Sequence, residues 1–264
     1  MQHFRKTAVG GKKMKLLLVI PAYNEEECIE EVVENIKEHY PQYDYVIVND
    51  GSKDRTSAIC HEKGYNVIDL PVNLGLAGAF QTGMKYAYYN DYDYAIQFDA
   101  DGQHKPEYIG KMVEKIQEGY DIVIGSRFVT EKKPFSPRML GSRLISFSIR
   151  LMTGKKINDP TSGMRLFSNN ILKEFAFNMN YGPEPDTVSY LLKRGAQITE
   201  VQVSMDERIG GVSYLNFTRS ILYMMRMLIS ILIIQNFRVD KSEKKIEKRI
   251  DKKVCEVNSG DSFI

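Results

Sequence analysis

The sequence is poor in cysteine, with three in 264 residues. Cys28, Cys60 and Cys255 are odd in number, lie far apart and lack the spacing of metal ligands. This pattern argues against a disulfide framework and predicts free thiols in a reducing compartment.

The chain also lacks an excess of charge of either sign. Its 36 Lys and Arg residues and 34 Asp and Glu residues give a formal net charge of +2. No basic stripe is interleaved with stacking aromatic residues. Nucleic-acid binding, which depends on concentrated positive charge, is therefore not expected.

Long apolar runs are missing as well. The run LLLVI, at residues 16–20, is shorter than the roughly 7–15 apolar residues of a signal-peptide core. We therefore expect residues 1–14 to form a flexible leader and one large globular domain to occupy residues 15–212. Residues 239–264 mix lysine with acidic residues and are expected to be a charged tail.

The most apolar segment, residues 213–238, contains SILYMMRMLISILII, with one charge, Arg226, in 15 residues. A membrane span needs about 20 consecutive apolar residues, so this segment is too short to be one. Arg219, Arg226 and Ser230 form a narrow polar stripe on a helix. The pattern favours an amphipathic helix in the membrane interface. The alternative is a helix buried in the core or in an oligomer contact.

Short apolar runs alternate with helical patterns along the first half of the chain. This alternation predicts an α/β fold with a mostly parallel sheet and helices on both faces. Strands are expected at 15–20, 43–50, 66–70, 94–98 and 121–126, and an edge strand at 196–205. Helices are expected at 25–38, 54–63, 77–89, from Pro106, at 141–154 and up to Gly195, with a loop leading into a strand or turn at 158–167.

Polar clusters follow four of the predicted strands and should meet at one sheet edge, beyond the carboxyl ends of the strands. In one of them, YAIQFDADGQH, Asp99 and Asp101 stand two residues apart. Like charges this close are unfavourable unless a cation lies between them or one takes a proton. Asp99, Asp101 and the neutral oxygen of Gln103 therefore predict a Mg²⁺ or Mn²⁺ site. The alternative is a pair of solvated loop aspartates.

Seven motifs follow one another along the chain. They are VIPAYNEE (19–26), VNDGSKDRT (48–56), NLGLAGAFQTG (73–83), FDADGQHKPE (98–107), GSR (125–127), DPTSGMRLF (159–167) and ERIGGVS (207–213). Together they resemble family 2 glycosyltransferases, in particular the dolichyl-phosphate mannose synthase-like branch, whose members are polyprenyl-phosphate glycosyltransferases. The resemblance implies a GT-A fold, a nucleotide-diphosphate sugar donor, a divalent metal and inversion at the anomeric carbon. It also implies a polyprenyl phosphate acceptor.

By this resemblance, most of the site residues bind the donor. Asp50 would hold the base or ribose, and Arg127 and Arg208 would face phosphate oxygens, which suit the planar guanidinium. Asp99, Asp101 and Gln103 would bind the metal. Asp159, Asp101 and Arg127 would have catalytic roles. The full expected substrate-binding set is Pro21, Ala22, Tyr23, Glu25, Asp50, Asp99, Ala100, Arg127, Arg165 and Arg208.

Two mechanisms remain open, because the acceptor group is either a phosphate or a sugar hydroxyl. A phosphate acceptor is already mostly a dianion at pH 7, so it needs positioning and charge neutralisation more than a base. Candidates for that cradle are Arg138, Arg143 and Arg165. A sugar hydroxyl of a growing polysaccharide would instead need a carboxylate base. Asp159 is the first candidate for that base, followed by Glu184 and Asp186.

The chain departs from the family pattern in ways that affect its partners. Asn49 replaces one of two acids, and Tyr214 stands where a lysine is common, so Arg219 is expected to take over a phosphate contact. With one apolar segment, we expect peripheral attachment to the cytoplasmic face of the membrane. A small membrane protein or a second copy of the chain is a possible partner. A nucleotide-sugar-binding protein without catalysis is the non-enzymatic alternative, and the intact Asp99–Asp101 pair argues against it.

Overall fold

The computed structural model describes residues 14–179, 181–206 and 217–237. Strands and helices alternate over most of this part of the chain, as predicted. The strands are β1 (Leu16–Ala22), β2 (Asp44–Asn49), β3 (Val67–Asp69), β4 (Tyr94–Gln97), β5 (Ile122–Ser126), β6 (Arg165–Ser168) and β7 (Ile198–Gln202). The helices are α1 (Ile29–His39), α2 (Thr56–Glu62), α3 (Gly75–Tyr89), α4 (Ile109–Gln117), α5 (Pro137–Thr153), α6 (Asn169–Phe177), α7 (Pro185–Lys193) and α8 (Phe217–Leu232), with 3-10 turns at Pro106–Tyr108 and Ile234–Phe237.

The seven strands form one sheet in the order β3-β2-β1-β4-β6-β5-β7. All neighbouring pairs are parallel except those of β6, which runs antiparallel to both β4 and β5. β7 lies at the edge, as predicted. The chain passes from β1 to β2 and β3 on one side, then returns to place β4 on the other side of β1. Parallel sheets bind their ligands at such a reversal point.

Helices cover both faces of the sheet. Successive apolar side chains along a strand point to opposite faces, so each face offers an apolar surface for packing. On β1, Leu17 and Val19 pack with α3, α6 and α7 on one face. Leu18 and Ile20 pack with α1 and α4 on the other. The predicted fold class is therefore confirmed.

Three helices differ from the predictions. α6 was not predicted, because its segment follows β6 without a separating loop. α1 begins at Ile29 instead of Glu25, because residues 24–26 bond to the loop after β2. α5 begins earlier than predicted, where the Ser136 hydroxyl accepts the Met139 amide proton at 3.3 Å.

Helix α8 lies against α5 and α7. Gly141 of α5 permits this close approach, since an added Cβ there would lie 1.4 Å from the Met224 sulfur. On α8, the polar residue Ser230 and the apolar residues Met227 and Ile231 are buried. The opposite face is exposed and apolar and carries Ile221, Leu222, Met225, Ile229 and Leu232.

An exposed apolar face on α5 accompanies that of α8. Leu140, Leu144, Phe147 and Leu151 repeat at helical spacing and are all exposed. We call these residues, with the exposed apolar residues of α8, the α5–α8 face. Within residues 14–179, 181–206 and 217–237, no helix is long and apolar enough to cross a membrane. The expected leader, except Met14, and the expected tail lie outside the described residues.

Candidate functional site

A cavity of about 1230 Å³ opens at the carboxyl ends of β1, β2 and β4, at the reversal point of the sheet. Three of the four predicted polar clusters meet there, because parallel strands end at a common edge. The wall includes these residues predicted from the sequence: Pro21, Ala22, Tyr23, Glu25, Asp50, Asp99, Ala100 and Asp101.

The loops after β1 and β2 are bonded to each other. Asn24 adopts a left-handed backbone with φ of 56°. Its side-chain oxygen accepts the Lys53 amide proton at 2.8 Å, and its own amide donates to the Ser52 hydroxyl at 2.9 Å. Asp54 accepts the amide protons of Glu26 at 3.1 Å and Thr56 at 3.0 Å. These bonds give the cavity a preformed wall on the side of β2.

Asp50 is buried at the end of β2 and anchors the loop that precedes α3. Its amide donates to the Ala22 carbonyl at 2.8 Å, and its Oδ1 accepts the Leu74 amide proton at 2.7 Å. Neighbouring Asn49 donates to Asp69 at 2.6 Å, so the amide that replaces a second acid has a structural partner. The pKa of Asp69 lies below its ordinary value because bonds from Asn49, His61 and Ser57 outweigh its burial.

Asp99 is held in place by two side chains. Its Oδ1 accepts a proton from the Gln97 amide at 3.0 Å, and its Oδ2 lies 3.4 Å from His104 Nε2. The backbone amide of Asp99 also donates to His104 Nδ1 at 2.9 Å. Nδ1 is therefore an acceptor, which places the proton of the neutral ring on Nε2, towards the carboxylate. An added Cβ at Gly163 would lie 2.8 Å from Asp99 Oδ2, so this motif glycine leaves room for the carboxylate.

Asp101 is buried on the cavity wall, and its Oδ1 accepts the Gln103 amide proton at 3.1 Å. Gln103 directs its side-chain nitrogen towards the Asp206 carbonyl at 3.5 Å. In the described ranges, no group of three or more His, Cys, Asp or Glu side chains is arranged to hold a metal. The donor set is two carboxylates and an amide oxygen. Such a set suits Mg²⁺ or Mn²⁺, which keep waters or substrate phosphates as further ligands.

Arg127 and Asp159 form a closed ion pair beside this cavity. Arg127 donates from Nε to Asp159 Oδ2 at 2.7 Å and from Nη2 to Oδ1 at 3.0 Å, and its amide also donates to Oδ2 at 3.2 Å. Asp159 is fully buried. Burial would raise the pKa of Asp159, but the bonds and charge of Arg127 hold it below its ordinary value. Two of the three predicted catalytic residues are thus paired with each other.

Arg165 lies in the core, on β6. Its guanidinium donates to the carbonyls of Ser162 at 2.9 Å, Pro160 at 2.7 Å and Glu184 at 3.4 Å. Burial lowers its pKa, partly offset by nearby acidic groups. In this arrangement Arg165 shapes the 160–162 loop and the start of α7 and does not face the cavity.

The other predicted arginines have different outcomes. Arg143 lies on α5 and donates to the Lys133 carbonyl at 2.7 Å. Lys133 in turn donates to the hydroxyls of Ser142 and Ser146, at 2.9 and 3.3 Å, and burial lowers its pKa. Arg208 and the side chains of Arg138 and Arg219 lie outside the described residues.

The start of α7 joins the cavity to α8. Glu184 lines the cavity and accepts a hydrogen bond from the Tyr223 hydroxyl. Asp186 accepts from the Ser230 hydroxyl at 2.6 Å. Arg226, on the same face of α8, also lines the cavity, although no site role was predicted for it. The sequence signal that could have identified Arg226 as a site residue is that it is the single charge in a long apolar run.

The sheet order, the cavity position and the likeness to solved structures define a GT-A-like α/β fold. Glucosyl-3-phosphoglycerate synthase from Mycobacterium tuberculosis, in complex with Mn²⁺, uridine diphosphate and phosphoglyceric acid, is similar with a TM-score of 0.62 and 21% identity. The match covers 86% of this chain and 80% of that one.

The family follows from the sequence comparisons. The Glycosyl transferase family 2 profile matches residues 17–175, more than half of the chain. The chain belongs to this family and is a glycosyltransferase.

Relatives with named acceptors include two from different lineages. UDP-N-acetylglucosamine–dolichyl-phosphate N-acetylglucosaminyltransferase of Methanococcus voltae is 38% identical over 60% of this chain and 71% of its own length. Undecaprenyl-phosphate mannosyltransferase of Micrococcus luteus is 30% identical over 76% of this chain and 87% of its own.

Proposed function

We propose that this glycosyltransferase moves a sugar from a nucleotide-diphosphate donor to polyprenyl phosphate, with inversion at the anomeric carbon. Relatives whose names specify dolichyl-phosphate and undecaprenyl-phosphate acceptors support this acceptor class. The donor binds in the cavity at the ends of β1, β2 and β4, with its nucleoside near Asp50 and its diphosphate near Asp99 and Asp101.

The observation that carries the proposal is the placement of Asp99 and Asp101 on the wall of this cavity. Mg²⁺ or Mn²⁺ held by Asp99, Asp101 and Gln103 would neutralise charge on the leaving diphosphate. His104 and Gln97 orient Asp99 for this task, because both contact its carboxylate. A solved protein of similar fold contains Mn²⁺ and uridine diphosphate, which supports a divalent metal and a nucleotide diphosphate as ligands of this cavity.

The Arg127–Asp159 pair favours a phosphate over a hydroxyl as the acceptor. Both Asp159 oxygens accept protons from Arg127, so this carboxylate is poorly placed to remove a proton from a hydroxyl. A phosphate acceptor needs no such base, since its second pKa of about 6 leaves it mostly a dianion at pH 7. Arg143 adds positive charge on α5, where the acceptor would approach from the membrane.

The α5–α8 face supports peripheral attachment of the enzyme to the cytoplasmic side of the membrane. A polyprenyl chain stays in the bilayer, so the cavity must be held close to the lipid surface. Two adjacent helices expose large apolar side chains on that side of the molecule. Burial of such side chains in the interface stabilises membrane binding.

The test is sugar transfer to lipid. Purified protein is incubated with Mn²⁺ or Mg²⁺ and a panel of radiolabelled nucleotide sugars. The acceptor is undecaprenyl or dolichyl phosphate or, in a separate reaction, a soluble oligosaccharide. Label is expected in the organic phase for one donor, and Asp101→Asn should reduce its rate at least about a hundredfold, because a metal ligand is lost. The matched control is Asp91→Asn, in an exposed turn whose φ of 56° suits asparagine.

The outcomes separate the candidates. If label enters only water-soluble oligosaccharide, the hydroxyl-acceptor mechanism replaces this one. If nucleotide sugars bind but no donor is consumed with either acceptor, catalysis by this chain is contradicted.

A further inference from the structure

The cavity wall is strongly acidic. Among the described residues that line it, eight are acidic, from Glu25 through Glu184, and two are basic, Lys53 and Arg226. Under the proposed function, the cavity receives a diphosphate and a second phosphate, and phosphates are repelled by carboxylates. A divalent ion compensates for part of this charge. Of these two basic residues, Lys53 lies in the loop after β2, on the proposed nucleoside side of the cavity. Arg226 lies on the other side, near Glu184 and α7.

Two of the described arginines that were expected to bind phosphate, Arg127 and Arg165, have other partners. Arg127 is closed onto Asp159 by two side-chain hydrogen bonds. Arg165 is buried and donates to three main-chain carbonyls. Neither lines the cavity in the described part of the chain. Arg226, by contrast, is exposed to the cavity and forms no ion pair with another described residue.

Three hydrogen bonds fix the side of α8 on which Arg226 lies. Tyr223 donates to Glu184, and Ser230 and Gln235 donate to the side chain and carbonyl of Asp186. Residues three and seven apart share a helix face, so Tyr223, Arg226 and Ser230 point the same way. The guanidinium is therefore held at the cavity by a helix whose other face is exposed and apolar.

We infer that Arg226 binds a phosphate group of a substrate in this cavity and is a substrate-binding residue of the transfer reaction. The inference rests on the proposed function for the identity of that phosphate, which belongs either to the donor diphosphate or to the acceptor. In both cases the planar guanidinium donates to phosphate oxygens, which favours a fork of two parallel hydrogen bonds. The site is incomplete without α8.

The experiment compares Arg226→Gln and Arg226→Lys with the wild type. Calorimetry with Mn²⁺ measures binding of uridine and guanosine diphosphates, and separately of farnesyl phosphate, a soluble prenyl phosphate. Turnover with polyprenyl phosphate gives kcat and the KM of the acceptor. The control is Arg194→Gln, which removes the same charge at the far end of α7, where Arg194 contacts Tyr190. Melting temperatures confirm folding of each variant.

Arg226→Gln should weaken one phosphate ligand by about tenfold or more, as expected for a charged hydrogen bond. A higher Kd for the nucleoside diphosphate assigns Arg226 to the donor. A higher Kd for farnesyl phosphate, or a higher acceptor KM, assigns it to the acceptor. Arg226→Lys should recover part of the loss, because it restores charge without the fork.

Unchanged binding of every ligand in Arg226→Gln, with an unchanged acceptor KM, would overturn the inference. This outcome is distinct from failure of the proposed function. If the wild type transfers no sugar to polyprenyl phosphate, the proposed function fails, while the calorimetric comparison still decides whether Arg226 binds phosphate.

Discussion

His104 positions Asp99 through both of its ring nitrogens. Nδ1 accepts the Asp99 amide proton, and Nε2 lies 3.4 Å from the Asp99 carboxylate. Groups that orient a metal ligand in this way strengthen metal binding without touching the ion. His104 also packs edge-on against Phe98, with ring centroids 5.5 Å apart, so an aromatic replacement can preserve the packing.

His104→Phe is expected to weaken Mn²⁺-dependent nucleotide binding by about 10–100-fold, the range for lost second-sphere partners. The ring remains, but both contacts to Asp99 are lost. Calorimetry at several Mn²⁺ concentrations measures the effect. His39→Phe, on the exposed surface of α1, is the control, and equal metal dependence in both variants would contradict this role.

The Arg127–Asp159 pair predicts how the free energy of unfolding depends on pH. The pKa of Asp159 is depressed in the folded protein, so its contribution is fully present above its ordinary value of 3.8. The contribution is lost as pH falls below that value, through the folded pKa. Urea unfolding between pH 6 and pH 2.5 should show the wild type losing its advantage over Asp159→Asn in this acidic range. A constant difference at all pH values would argue against the ion pair.

Single residues show which parts of the site can be predicted from sequence. Asp50, Asp99 and Asp101 were predictable because each follows a β-strand, and parallel strands end together. The pairing of Arg127 with Asp159, 32 residues apart, was not, because it depends on how the 155–164 loop returns to β5. Arg165 was expected at a phosphate, but its place on β6 directs it into the core.

At the scale of elements, periodicity predicted helices but not their orientation. The stripe of polar residues on α8 was recognised, but the sequence left open whether the helix lies in the membrane interface or packs in a protein contact. In the structure, Ser230 and Arg226 of that stripe face the protein, and the apolar side faces outwards. The reversed direction of β6 was also unpredictable, since strand direction depends on distant pairing rather than on local pattern.

The packing of α8 on α5 requires Gly141. Glycine to alanine in a helix normally stabilises by about 0.5–1 kcal/mol. Here we expect the opposite sign, because the new Cβ would overlap Met224, whose Sδ lies 1.4 Å and Cγ 2.9 Å from its position. Gly141→Ala should therefore lower the free energy of unfolding, as measured in urea.

A second mutation completes a double-mutant cycle and tests whether the overlap with Met224 causes the destabilisation. Met224→Ala should relieve the overlap, so the double variant should be more stable than the sum of the two single changes indicates. Additive effects would mean that the overlap with Met224 is not the source of the destabilisation.

At the scale of the whole molecule, the α5–α8 face places apolar side chains beside the cavity. Phe147 is 63% exposed on this face, and Phe177 is 57% exposed elsewhere, in a cluster with Tyr88 and Tyr89. Two equally exposed phenylalanines, one on the face and one away from it, allow a matched comparison.

Phe147→Glu should reduce binding to phosphatidylcholine–phosphatidylglycerol vesicles by about tenfold or more, because burial of a phenylalanine contributes roughly 1.5–3 kcal/mol. Phe177→Glu should leave it unchanged. Vesicle sedimentation measures binding, and calorimetry with nucleotide checks that the cavity is intact. If Phe147→Glu instead dissociates a dimer in solution and leaves vesicle binding unaltered, the face is a contact between copies of the chain.

The attachment of α8 to Glu184 and Asp186 has a thermodynamic consequence. Under the proposals above, α8 contacts the bilayer with one face and the substrate with the other, so the two binding equilibria can be coupled through one helix. Coupling is reciprocal: the factor by which lipid changes nucleotide affinity equals the factor by which nucleotide changes lipid affinity. If lipid tightens nucleotide binding, an enzyme with bound donor dwells longer on the bilayer than an empty one by the same factor.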